Sequence, residues 1–316
     1  MQHNPLHWLL RRGVHAVLAV VLVAGSPTLF AARQVQLVLS DSGDPYLGLA
    51  DSLDSRVEAD PEARRLRLIR VQADDDRPGR SDLAVAVGMK ACGKVLAERT
   101  ADASLCVLVP KAGFRRLAKE TKGDRHSAIY LDQPIGRQLA LAQVLLPEVS
   151  RVGMLAGPEL SRNVAAIERT ARAIGVEVDL ERLDSTKDAA QGIQRLVKRN
   201  DLILAVYEPD VLTPSTAKWL LYMAHKGRVP VVGFSRAYVD AGAAAAVFST
   251  PEQIGRQAAE TILAWSRDGG GRLTPTAYPR EFEVEVNRSV TKALGLDPPP
   301  NGELARRVAE IAGGAP

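Results

Sequence analysis

Few residues in this chain have the type and spacing for chemistry, and the sharpest candidate is Ser235. Gly233-Phe234-Ser235-Arg236-Ala237 follows an apolar run, Val229 to Gly233, and reads as a variant of the G-x-S-x-G elbow that exposes a nucleophilic serine on a strand-to-helix turn. Residue order argues against that chemistry. An acid and then a histidine should follow the serine, yet His126 and His225 precede it and the other histidines lie within the first fifteen residues. No enzyme is therefore expected. Phe234 and Ser235 read instead as the wall of a binding cleft. Arg236 beside them either holds a carboxylate or phosphate bidentately or pairs with Asp240 on the surface.

Metal and redox chemistry find less support. Two histidines in the body of the chain do not build a His-based metal centre. Asp74-Asp75-Asp76 lacks the spaced ligands and glycine of a calcium loop and reads as a solvated turn. Cys92 and Cys106 have neither metal-site nor redox-motif spacing. One falls on an expected helix and the other on the next expected strand, which leaves a disulfide and two buried thiols both open. No cofactor is called for.

Charge and leader bound the partners. The 41 Lys and Arg side chains against 37 Asp and Glu are too balanced to argue for nucleic acid. Arg11 and Arg12, the apolar Val14 to Gly25, the break at Ser26-Pro27 and the small pair Ala31-Ala32 follow the grammar of an export signal cleaved near Ala32, with an uncleaved anchor as the alternative because Leu29 and Phe30 are bulky for the cleavage recess. That apolar run is shorter than the roughly 20 residues of a membrane span. A periplasmic, monomeric protein is the expectation.

The elements that must position a cleft recur with a strand-then-helix rhythm. Strands are expected at Val35 to Leu39, Arg67 to Val71, Leu83 to Val87, Leu105 to Val109 and Ala128 to Leu131. Helices follow, including Lys90 to Arg99, Gly113 to Glu120 and Ile135 to Leu146. Parallel neighbours need crossover helices, so this is a doubly wound α/β sheet. From Arg151 the rhythm restarts, with strands Val152 to Leu155, Val176 to Leu180, Leu202 to Val206 and Val229 to Gly233, and helices Ser161 to Ile174, Lys187 to Arg199 and Pro214 to His225. The fold class is α/β, two doubly wound parallel-sheet lobes, with the late elements shared between them and the chain crossing three times. The expected boundaries are residues 1–32 for the leader, 33–148 plus 243–268 for the first lobe, 149–242 plus 272–297 for the second, and 298–316 for a peripheral tail. Trp219 and Trp265 are expected in helix cores.

Doubly wound sheets bind ligands at the carboxyl ends of their strands. In the first lobe those ends carry Ser40, Asp41, Ser42, Gly88, Met89, Tyr130 and Asp132. In the second they carry Gly157, Ser161, Tyr207, Glu208, Phe234, Ser235 and Arg236, while Asp44, Glu159 and Asp210 read as caps or exposed turns. Ile135-Gly136-Arg137-Gln138 and Ile254-Gly255-Arg256-Gln257 are the same four residues at two helix starts. Either chance produced the repeat, or both face the cleft or hinge.

Tyr130 to Gln138, Arg151 to Gly157, Pro230 to Ala259, Val286-Asn287 and Ala293 to Gly295 together resemble the ABC-transporter solute-binding proteins of the type I periplasmic-binding fold, in the branch related to tryptophan- and tyrosine-binding proteins. The resemblance runs from about Val35 to Leu296. It implies a two-lobe clamp that closes on a small molecule, amino-acid-like or another polar metabolite, and presents it to a membrane permease. Some relatives bind aromatic amino acids through backbone amides, Ser or Thr hydroxyls and apolar side chains. The acids at Ser40 to Asp44 and Tyr207 to Asp210 depart from a carboxylate clamp and suit an amine equally well. A periplasmic module reporting occupancy to a membrane sensor is the alternative role for the same fold.

Overall fold

The computed structural model describes residues 32–75, 79–121, 125–183 and 188–314. The expected leader, Asp76 and Lys187 lie outside the described residues.

Alternation of buried residues on both faces of each strand builds the first sheet. Its strands and helices are β1 (Arg33–Leu39), α1 (Asp44–Glu58), β2 (Leu66–Gln72), β3 (Ser81–Val87), α2 (Met89–Glu98), β4 (Ala101–Val109), α3 (Lys111–Glu120) and β5 (His126–Tyr130). The strands run parallel in the order β2-β1-β3-β4-β5. In β1, Val35, Leu37 and Leu39 face one layer of helices and Val38 the other, as expected of strands covered on both sides.

The chain then passes through α4 (Ile135–Leu145), β6 (Arg151–Ala156), α5 (Pro158–Ser161), α6 (Val164–Ile174), β7 (Glu177–Arg182), α7 (Ala189–Arg199), β8 (Leu202–Leu204), α8 (Pro214–Gly227), β9 (Val231–Gly233), α9 (Arg236–Asp240) and β10 (Ala245–Phe248). After α10 (Pro251–Arg267) come β11 (Glu283–Val286), α11 (Arg288–Leu294) and α12 (Asn301–Gly314). The second sheet is ordered β11-β10-β9-β8-β6-β7, and only the β10–β11 pair is antiparallel.

Three placements differ from the boundaries expected of the sequence. Helix α4, expected in the first lobe, packs Leu139, Leu141 and Leu145 into the core of the second. Strand β10, also expected in the first lobe, joins the second sheet beside β9, while α10 returns to the first and buries Ile254, Ile262 and Trp265 against Leu49 and Leu53 of α1. The terminal helix α12 is not peripheral, because Leu304 and Val308 are fully buried in the core of the second lobe. The expected helix from Ser161 is two helices, α5 and α6, broken at Arg162 and Asn163. Trp219 is surface-exposed and packs on Tyr222 rather than in a core.

The chain thus changes lobe at 131–134, at 249–250 and at 279–282, and polar side chains knit these passages together. Gln133 Nε2 donates to Ser249 Oγ at 2.8 Å, which in turn donates to the Glu281 carbonyl at 2.6 Å. The repeated tetrapeptides sit here. Arg137 donates to Gln133 Oε1 and the Pro279 carbonyl and stacks over Phe282, while Gln257 spans the Tyr278 carbonyl and the Arg280 amide. Arg256 pairs with Glu281. The hinge half of the expectation for the repeat is what the structure shows. Burial pulls the Arg137 guanidinium down to about 10, and its acceptors are neutral.

Glycine 93 offers a simple check on helix α2. A Cβ there would meet nothing nearer than Leu117 Cδ2 at 3.8 Å. Gly93→Ala is therefore expected to stabilise the protein by about 0.5–1 kcal/mol, read as a higher urea midpoint, because alanine loses less backbone entropy on folding.

Candidate functional site

A cleft of about 450 Å³ opens between the lobes. The first lobe contributes Met89 at the start of α2, Pro110 before α3, and the basic face of α3 with Arg115, Arg116 and Lys119. The second contributes Pro158 and Glu159 of α5, Arg162, and the loop Tyr207 to Asp210 after β8. Both sets lie at the carboxyl ends of parallel strands, where the sheet leaves a crevice.

Of the residues expected from sequence, Met89, Tyr207 and Glu208 line this cleft. Ser40 does not face it as a free hydroxyl: its Oγ accepts the Ala91 amide at 2.9 Å and so holds the first turn of α2. Gly88 makes that approach feasible, with φ of 91° and a Cβ position only 2.6 Å from Ser40 Oγ. Asp41 closes a local turn by accepting the Ser42 and Gly43 amides, and Ser42 is exposed beside it. Tyr130 is buried edge-on against Tyr278 at 5.4 Å, in the lobe core rather than at a surface. Asp132 accepts the Lys111 amide at 2.6 Å at the start of α3, and burial raises its carboxyl above the usual range.

In the second lobe, Glu208 is a buried carboxylate, 2% exposed. One oxygen accepts the Leu160 amide at 2.5 Å, and Gly157 leaves room for the other, since a Cβ there would stand 2.6 Å from it. Burial raises its pKa, while the Leu160 and Glu159 amides work in the opposite direction. A carboxyl raised on folding contributes stability that is present below its unfolded value and lost as pH climbs through the folded one. The stability of the native protein relative to Glu208→Gln is thus expected to fall as pH rises from about 4.5. Urea melts at several pH values read this directly, and a difference that stays flat rules it out.

Tyr207 packs edge-on against Phe234 at 5.7 Å, and Phe234 against Tyr238 at 4.7 Å. Burial raises the Tyr207 phenol, with Asp132 adding to the shift. Ser235 precedes α9 without capping it through its side chain, and Ser161 lies at the end of α5. Arg236 pairs with neither a cleft group nor Asp240. It reaches Glu283 and Glu285 of β11 at 3.5 and 3.3 Å and lies over Phe248. The alternating glutamates of that edge strand, not the local sequence, decide its partner.

The basic face of α3, Arg162 and the prolines at 110 and 158 are what sequence reading missed, and Glu159 and Asp210, read as caps or exposed turns, also line the cleft. A readable signal was present. Arg115, Arg116 and Lys119 recur at i, i+1 and i+4 on the helix that follows an apolar strand, which marks a basic helical face near that strand's carboxyl end.

Two lobes, three passages and a crevice between strand ends describe a clamp, and the sequence carries a matching signature. Residues 130–296 match the family described as ABC transporter substrate binding protein. The chain belongs to that family. No curated protein matches it. Among solved structures, it resembles the ligand-free, open form of CD0873, a substrate binding protein with adhesive properties from Clostridium difficile, at 19% identity and TM-score 0.63, over 85% of this chain and 97% of that one. It also resembles an ABC domain in complex with L-Trp from Streptococcus pneumonia, at 15% identity and TM-score 0.59, over 88% and 98% of the two chains. A conserved domain protein from Vibrio cholerae matches at 16% identity and TM-score 0.57, over 87% and 98%. At these identities the likeness is one of fold, the type I periplasmic-binding architecture. Members of this family bind small molecules for ABC-type transport. Among the described residues, no helix is long and apolar enough to cross a membrane.

Proposed function

We propose that this protein captures a small polar molecule with a planar or aromatic body in the interlobe cleft and delivers it to an ABC-type membrane transporter. The cleft carries the reading: Met89, Pro110 and Pro158 offer apolar walls, Tyr207 a ring with a polar tip, and cations and carboxylates surround them. Arg116 and Lys119 suit an anionic group of the ligand, and Asp210 an amine. A zwitterion of the amino-acid kind fits both, and the L-Trp complex of the streptococcal protein is of that chemistry. Phe234 acts behind Tyr207, fixing its ring, while Arg236 is held away from the cleft by Glu283 and Glu285. Export to the periplasm accords with the Cys92–Cys106 disulfide, since such bonds persist in oxidising compartments.

The test is thermal unfolding of the purified protein across a panel of amino acids, amines, carboxylates, nucleosides and sugars. A true ligand raises Tm, and above Kd the stabilisation grows with the logarithm of its concentration. Tyr207→Ala is expected to weaken that ligand about tenfold or more, roughly 1.4 kcal/mol, in calorimetric titration. No stabilisation by any class in the panel would count decisively against capture.

A further inference from the structure

One ion pair spans the mouth of the cleft, and the short helix that carries its carboxylate is tied through its main chain to the buried acid of the cleft wall. Arg115 Nη1, on α3 of the first lobe, lies 2.8 Å from Glu159 Oε1 on α5 of the second. Arg162 approaches the other carboxylate oxygen at 3.2 Å, so both oxygens are engaged. Glu159 is the more shielded partner, its side chain 22% exposed against 45% for Arg115.

The helix that carries Glu159 has only four residues, too few to hold its own direction through internal hydrogen bonds. It is held from outside. Buried Glu208 accepts the Leu160 amide, and Asn163 Nδ2 donates to the Glu159 carbonyl at 2.9 Å. Glu208 follows Tyr207 directly in the chain, and Tyr207 leans on Phe234. A continuous path of bonds therefore runs from the aromatic wall through Glu208 and α5 to Glu159 and across the cleft to Arg115.

We propose that Glu159 is a positioning residue of capture, which sets the resting width of the cleft by pairing with Arg115 on the opposite lobe. The inference rests on the interlobe cleft being the capture site. Opposite charges from two lobes shift the balance between open and closed forms only as far as their pairing differs between those forms. Any movement of the Tyr207 wall reaches the same pair through Glu208.

The experiment needs no ligand. Spin labels at Glu98→Cys on the first lobe and Gln191→Cys on the second report the interlobe distance in the otherwise native protein, with its disulfide intact. Glu159→Gln and Arg115→Gln are each expected to lengthen the mean distance by more than about 2 Å or to broaden it toward longer values. Arg115→Lys, which keeps the charge, is expected to retain the native distribution. Salt at about 1 M, where the screening length is near 3 Å, should carry the native protein toward the Gln variants and leave those variants unmoved. Distributions for Glu159→Gln and the native protein that superimpose at low salt overturn the proposal. So does a shift that Arg115→Lys shares with Arg115→Gln. An unresponsive ligand panel would sink the capture function while leaving these distances to stand or fall by themselves.

Discussion

Replacing Cys92 and Cys106 together by alanine is expected to destabilise the protein by about 2–4 kcal/mol. The two residues join α2 to β4, with Cα atoms 5.5 Å apart and a sequence separation of 14. A closed loop of that size restricts the unfolded chain by about 3 kcal/mol in the chain-entropy account. Both side chains are fully buried against Val95, Leu96 and Phe114, so truncation also leaves unfilled volume. For a protein of this size the loss should appear as a fall of roughly 5–10 °C in Tm. Reductant should bring the native protein toward the variant and leave the variant where it is. Matching denaturation midpoints for the two oxidised proteins would show that the bond adds nothing.

Gly255→Ala is expected to cost about 1–3 kcal/mol, with Gly255→Val costing more. A Cβ at that position would lie 2.4 Å from the Leu49 carbonyl oxygen and 3.2 Å from Ser52 Cβ. The first neighbour is backbone, which yields only if α1 moves as a whole. Helix α10 begins at the passage from the second lobe, where Thr250 and Gln253 form a reciprocal cap. Pushing it away from α1 also displaces Gln257, which holds Tyr278 and Arg280 of the third passage. The variant should therefore show a changed interlobe angle in its crystal structure as well as a lower unfolding midpoint. Gly93→Ala, whose added methyl makes only an ordinary contact with Leu117, is the control that separates crowding from the general effect of adding a methyl group to a helix.

Much of the architecture was readable because parallel strands buried on two faces announce themselves as short β-branched runs. Val35 to Leu39, Leu83 to Val87 and Leu105 to Val109 each have that form and each is a strand of the first sheet. Lobe membership was harder to read, since nothing in Ala245 to Phe248 distinguishes a strand paired with β9 from one paired with β5. Pairing is decided by which face remains uncovered, and that depends on distant segments such as β11. Cleft residues divided in the same way. Tyr207 and Glu208 follow a strand with no local partner, so their place at its end was legible. Ser40 and Asp132 looked equally polar, but each spends its side chain on the first amides of a neighbouring helix. Arg236 was misjudged because its partners are 47 and 49 residues away in Glu283 and Glu285.

The return of α10 to the first lobe has a bearing on how the chain is assembled. Leu49 and Leu53 of α1 pack on the first sheet, but their cover is incomplete until Ile254, Ile262 and Trp265 exist. As the polypeptide emerges from its N-terminus, residues 131–250 must therefore be made before the first sheet can be sealed. The early half waits, its apolar face open to water or to a chaperone, on a helix encoded near the end. Such distant pairing slows folding, because loop closure has to precede the contacts that reward it. A chain cut short after Tyr130 would carry all five strands of its sheet and α1, and still lack α10, the other helix of the layer that keeps one side of the sheet dry.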